Sequence, residues 1–154
     1  MAMPSSVFVK LRHSEALRFS AQVGGRKLEL NSANEMGEAF SPMELFLVAL
    51  AGCTAIDVQH ILERQRQKAD RLEVSVNGAR RQEDPRYYES IDIRYDLAGN
   101  ALRKDAVERA IRLSQEKYCS VRAMIKDTVK LNITYSIING QQAAAVYTYV
   151  PLHG

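Results

Sequence analysis

Two cysteines, Cys53 and Cys119, are the only thiols in the chain. Together they suit a peroxidatic cycle. One thiol attacks a peroxide and becomes a sulfenic acid, and the other resolves it as a disulfide. Each also has a plainer reading, as a small hydrophobic residue of the core. Cys53 lies within a strongly apolar helical stretch beside Gly52, where a missing side chain would permit close approach of another helix or a substrate. Cys119 follows one predicted helix and precedes another, and a helix N-terminus lowers a thiol pKa. Neither cysteine has a CxxC or HxxxH companion, so no metal is expected.

The ionisable neighbours qualify this chemistry. Asp57 is one helical turn beyond Cys53 and so shares its face, where a carboxylate opposes thiolate formation unless it is paired elsewhere. His60, about two turns on, is read as a surface histidine at the helix end. Arg26, beside Gly24-Gly25, is a candidate to activate a thiol or to hold an oxygen substrate; taken alone it reads as a solvated turn charge.

These residues must be positioned by the segment from Ser41 to Arg64. Ser41 suits an N-cap, Pro42 the first helical position, and Glu44 completes a capping box. From Leu45 to Ile56 the segment is almost unbroken apolar sequence. A helix apolar on every face is expected to be buried on every face. The apolar run is shorter than the roughly 20 residues a bilayer requires, so it reads as the central helix of a soluble core. One sheet face and one short helix would not cover it, which points to a partner subunit.

Before this helix, Val7, Val9 and Leu11 alternate with polar residues, as do Leu17, Phe19, Ala21 and Val23; Gly24-Gly25 then turns the chain into Lys27–Leu30. After it come alternating runs at 71–79 and 88–97, an amphipathic helix over 105–118, a short helix to Lys126, and strands at 129–137 and 145–150 around the turn signal Asn139-Gly140. The order β-β-β-α-β-β-α-α-β-β predicts an α+β fold with an antiparallel sheet. With 154 residues, 46% hydrophobic and 25% charged, the chain reads as a single domain, residues 1–154. A net charge of +3 with interspersed signs leaves no nucleic-acid footprint. The N-terminus lacks the apolar run of a signal peptide, so a cytoplasmic address is expected.

The stretches Ser41-Pro42-Met43-Glu44-Leu45 and Leu50-Ala51-Gly52-Cys53-Thr54-Ala55-Ile56-Asp57-Val58 resemble the core signature of the OsmC/Ohr family, the osmotically inducible and organic hydroperoxide resistance proteins. Asp84-Pro85-Arg86, Ile91–Tyr95 and Val107–Ile111 fit it in order, and Glu116–Val121 is its second cysteine box. The resemblance implies antiparallel sheets wrapped around two long central helices in an intertwined homodimer, with active sites at the subunit interface. It implies thiol-dependent reduction of a small organic hydroperoxide, with Cys53 peroxidatic, Cys119 resolving, Arg26 supporting the thiolate, and an external thiol reductant. No cofactor is expected, and neither nucleic acid nor membrane is a partner. The family's supporting glutamate falls where this chain has Met43, with Glu44 one residue later and about 100° further around the helix. Glu44 is kept as a candidate, and Glu35 and Glu38 are alternative partners for Arg26. Apolar Met43, Phe46 and Leu50 are candidate contacts for a lipophilic peroxide. The rival reading is a non-catalytic protein that binds an apolar small molecule on the same fold. An acyl- or sulfur-transfer enzyme using Cys53 is a third.

Overall fold

The computed structural model describes residues 6–31 and 39–151. The chain forms two compact units, residues 1–46 and 47–154. Glu35 and Glu38 lie outside the described residues.

In the first unit, β1 (Lys10–Glu15), β2 (Arg18–Val23) and β3 (Arg26–Asn31) form an antiparallel meander. The first strand lies later than the Val7–Leu11 alternation predicts, and Val7 and Val9 stand exposed before it. Gly24 takes φ +59° in the β2–β3 turn, a conformation that strains residues with a Cβ. Val23 pairs with Arg26 directly across that turn. Ala21 is the buried apolar residue of this sheet, whereas Leu11 and Leu17 remain exposed.

The central helix, α1 (Pro42–Arg64), starts as its sequence dictates. The Ser41 backbone N–H donates to Glu44 Oε2 at 2.7 Å, and the Glu44 N–H donates back to Ser41 Oγ at 3.3 Å. These bonds satisfy donors that a helix start otherwise leaves open. The helix ends in a Schellman motif: Arg66 at φ +55° donates to Glu63 O, and Gln67 donates to Leu62 O. With 23 residues, α1 is longer than its apolar run, and by length and composition alone it could span a bilayer.

The second unit holds a four-stranded sheet in the order β4 (Ala69–Arg80), β5 (Tyr88–Gly99), β6 (Lys130–Asn139), β7 (Ala145–Thr148). Ile91, Ile93, Tyr95 and Leu97 all point to the buried face, as their alternation predicts. The sheet is mixed rather than antiparallel, because β5 and β6 run parallel from Ser90↔Lys130 to Gly99↔Asn139. Between them lie α2 (Lys104–Leu113), a π-turn (Ser114–Tyr118) and α3 (Ser120–Ala123). A crossover of that length returns the chain to the same end of the sheet, and parallel pairing follows. Tyr88 packs its ring over Gly78, where an added Cβ would lie 2.5 Å from ring carbons.

Burial of α1 departs from the expectation. Leu50, Thr54, Val58, Ile61 and Leu62 are buried and share one stripe. Ile56 is 72% exposed and Val48 54%. The chain therefore covers one side of this apolar helix. Nor is any close approach made at Gly52, where an added Cβ would meet nothing within 4 Å.

Candidate functional site

Cys53 and Cys119, remote in sequence, come together in the second unit. Their Sγ atoms and a carboxylate oxygen of Asp57 lie within 4.8 Å of one another. Cys53 and Asp57 are brought side by side by the α-helical repeat, in which residues four apart are neighbours. Cys119 reaches them because of the π-turn. Its backbone N–H donates to Ser114 O, five residues back, which inserts an extra residue into the helical path. Tyr118, expected on the buried face of one continuous helix, is instead 50% exposed. Ser114 turns fully inward, with Gln115 half-buried beside it.

The inward residues build a buried polar network. Thr54 Oγ1 is 2.5 Å from Tyr95 Oη and 2.8 Å from Ser114 Oγ, and Ser114 donates to Asp57 Oδ2 at 3.0 Å. Gln115 Nε2 donates to both Thr54 Oγ1 (3.1 Å) and Tyr95 Oη (2.8 Å). Each hydroxyl has one proton, so the donor order is fixed from the carboxylate backwards. Ser114 gives its proton to Asp57, Thr54 gives to Ser114, and Tyr95 gives to Thr54. The chain of hydroxyls ends on Asp57 and orients its carboxylate; such chains polarise cooperatively. Burial pushes the Tyr95 phenol up to about 12 despite its hydrogen bonds.

The two thiols differ in environment. Cys53 is half-buried and Cys119 fully buried. Cys119 caps α3, its Sγ accepting the Arg122 N–H at 3.4 Å. That position was expected to lower its pKa. Burial instead pushes the thiol up to about 12, with Cys53 and Asp57 adding to the rise, and the single bond from Arg122 does not offset them. Asp57 forms no ion pair among the described residues, and its carboxylate accepts the Ser114 hydroxyl beside the thiols.

The remaining candidates are placed as follows. Arg26 opens β3 in the first unit and is exposed. The Glu44 carboxylate is engaged in the helix cap, and its pKa is lowered by the bonds to Ser41. Met43 and Phe46 are half-buried on the first turns of α1. Leu50 is fully buried, a core residue with no surface to offer a ligand in this chain. His60 is exposed, as a helix-end histidine should be. Asp57 and His60 also line a cleft of about 670 Å³ with Arg64, Arg109 and Tyr118. The network residues Tyr95, Ser114 and Gln115 were not foreseen as parts of the site. Tyr95 carried a signal, because a large hydroxyl on the buried face of a strand requires a partner.

Comparison with known proteins places the chain in a family and matches its fold. The family model for OsmC-like protein matches residues 35–134. Protein YhfA of Escherichia coli (strain K12) is 36% identical over 129 residues, which cover 84% of this chain and 96% of that protein. The crystal structure of a hypothetical protein from Aquifex aeolicus VF5 superposes with a TM-score of 0.79 at 32% identity, covering 90% of this chain and 100% of that one. The organic hydroperoxide resistance protein OhrB of Bacillus subtilis superposes with a TM-score of 0.62 at 14% identity, covering 84% and 97%. At that identity OhrB shares the fold alone.

Proposed function

The chain belongs to the OsmC-like protein family, and from that premise we propose that it is a thiol-dependent peroxidase for organic hydroperoxides. One observation carries the reading: two thiols on different elements lie within 4.8 Å of each other. In the reaction, the Cys53 thiolate attacks the distal oxygen of the hydroperoxide. The O–O bond breaks, the alcohol leaves with a proton, and Cys53 becomes a sulfenic acid. The Cys119 thiol then attacks that sulfur, its proton leaves with the hydroxyl as water, and a disulfide forms. An external dithiol supplies two electrons to restore both thiols.

Arg26 is assigned the cation that supports the Cys53 thiolate. Glu44 acts through the cap that fixes the start of α1, and Met43 and Phe46 supply apolar contact for the organic group. We take the protein to be a cytoplasmic homodimer, with neither nucleic acid nor membrane as a partner. Support for the dimer comes from α1, whose apolar residues Val48 and Ile56 are left uncovered in the chain, and from open space over Gly52. An intertwined arrangement would set a second long helix against them.

The test is turnover of cumene hydroperoxide with a dithiol reductant, compared with hydrogen peroxide. Turnover abolished by Cys53→Ser supports the proposal; turnover unchanged in that variant refutes it. A second reading, a protein that binds a small molecule without chemistry, is favoured by the Asp57 carboxylate beside the thiols, which opposes thiolate formation, and by the cleft that Asp57 lines. That cleft carries Arg64 and Arg109, so it suits an anionic ligand better than the wholly apolar one the sequence suggested.

A further inference from the structure

The geometry points to a binding site for a thiophilic divalent cation of the zinc class, formed by Cys53 Sγ, Cys119 Sγ and a carboxylate oxygen of Asp57. This inference does not rest on the peroxidase reading. Two thiolates and one carboxylate are a donor set zinc accepts, and three protein ligands leave a fourth tetrahedral position for water. Bonds of about 2.0–2.3 Å at tetrahedral angles place such donors roughly 3.5–3.8 Å apart. The three atoms here already lie within 4.8 Å of one another. Small side-chain rotations close the difference.

The surroundings are those of a ligand set rather than of a chance cluster. A metal-binding carboxylate is held by a hydrogen bond from behind. Asp57 has that bond from Ser114 to Oδ2, which still leaves carboxylate lone pairs for the metal. Ser114 is in turn fixed by Thr54, and Thr54 by Tyr95 and Gln115. Cys119 has the corresponding support, a backbone N–H donated to its sulfur by Arg122. The two thiol protons pass to solvent, and no electron is transferred. Motif inspection misses such a site, because its third donor follows from helical geometry and its second thiol arrives from the crossover. Both thiols are ligands in the filled site, so metal binding and oxidation by peroxide exclude each other.

The test is titration of the fully reduced, full-length protein with Co²⁺. The expected result is one equivalent bound per chain. Sulfur-to-cobalt charge-transfer absorption should appear in the near ultraviolet with tetrahedral bands in the visible, and Zn²⁺ should bleach both. Asp57→Asn is expected to weaken binding about tenfold or more, and Cys119→Ser to halve the charge-transfer intensity. Ser114→Ala keeps all three donors and is expected to weaken binding about 10- to 100-fold without changing the spectrum. Absence of charge-transfer bands at stoichiometric cobalt would overturn the inference. So would bands with an affinity indifferent to both Asp57→Asn and Ser114→Ala, since the thiols would then bind metal adventitiously. The readout is spectral, so failure of peroxide turnover leaves it standing, and loss of metal binding leaves the peroxidase reading standing.

Discussion

Ser114 donates its hydroxyl proton to Asp57 Oδ2 at 3.0 Å, joining a largely buried polar network to the carboxylate beside the two thiols. Through this bond the sheet residue Tyr95 and the central helix fix one edge of the candidate site.

Removing the far end of the network should be costly without disturbing packing. Tyr95→Phe keeps the ring in its buried position but withdraws a donor from Thr54 and an acceptor from Gln115. The expected loss is about 1–3 kcal/mol, the cost of leaving buried polar groups unsatisfied. Urea denaturation of the two proteins at equal concentration measures it.

The same phenol sets a pH dependence. Its pKa is raised from 10.0 to about 12 on folding, so the folded state holds the proton more tightly than the unfolded chain. The associated stability is complete below pH 10 and is lost as pH rises from 10 toward 12. Ultraviolet titration should show delayed tyrosinate formation in folded wild type, with the Tyr95 contribution missing from Tyr95→Phe while those of Tyr135 and Tyr149, also raised by burial, persist.

At the end of α1, Arg66 occupies φ +55°, a conformation that costs a residue with a Cβ about 1–2 kcal/mol. Glycine avoids that cost but loses more freedom on folding. Arg66→Gly should therefore stabilise by up to about 1 kcal/mol, read as a rise in the urea midpoint at unchanged slope.

Ile56 separates the isolated chain from the proposed dimer. It is 72% exposed on α1, and a charge there would be harmless in a monomer. In an intertwined dimer, Ile56→Glu would bury an unpaired carboxylate. Sedimentation should show a dimer for wild type and a monomer or unfolded chain for the variant. A monomeric wild type would refute the dimer.

Much of this architecture was legible in the residues. The cap at Ser41–Glu44, the order of the elements and the buried stripe of β5 each follow from local chemistry that needs no distant partner. What escaped was set at long range. The parallel β5–β6 pair depends on where a crossover returns. The π-turn depends on Ser114 finding Thr54. The raised pKa of Cys119 depends on burial and on neighbours brought from another helix, and these outweigh the helix-start effect visible locally. Arg26 remains known by its strand position, in the unit that does not contain the thiols.

The central claim is best tested by titrating the reduced protein with cumene hydroperoxide and weighing it intact. The account predicts loss of about two mass units at one equivalent, as Cys53 and Cys119 form a disulfide. In Cys119→Ser it predicts a gain of one oxygen, held on Cys53 as a sulfenic acid that a dimedone probe captures. Both thiols remaining reduced for minutes at stoichiometric peroxide, in metal-free protein, would contradict it.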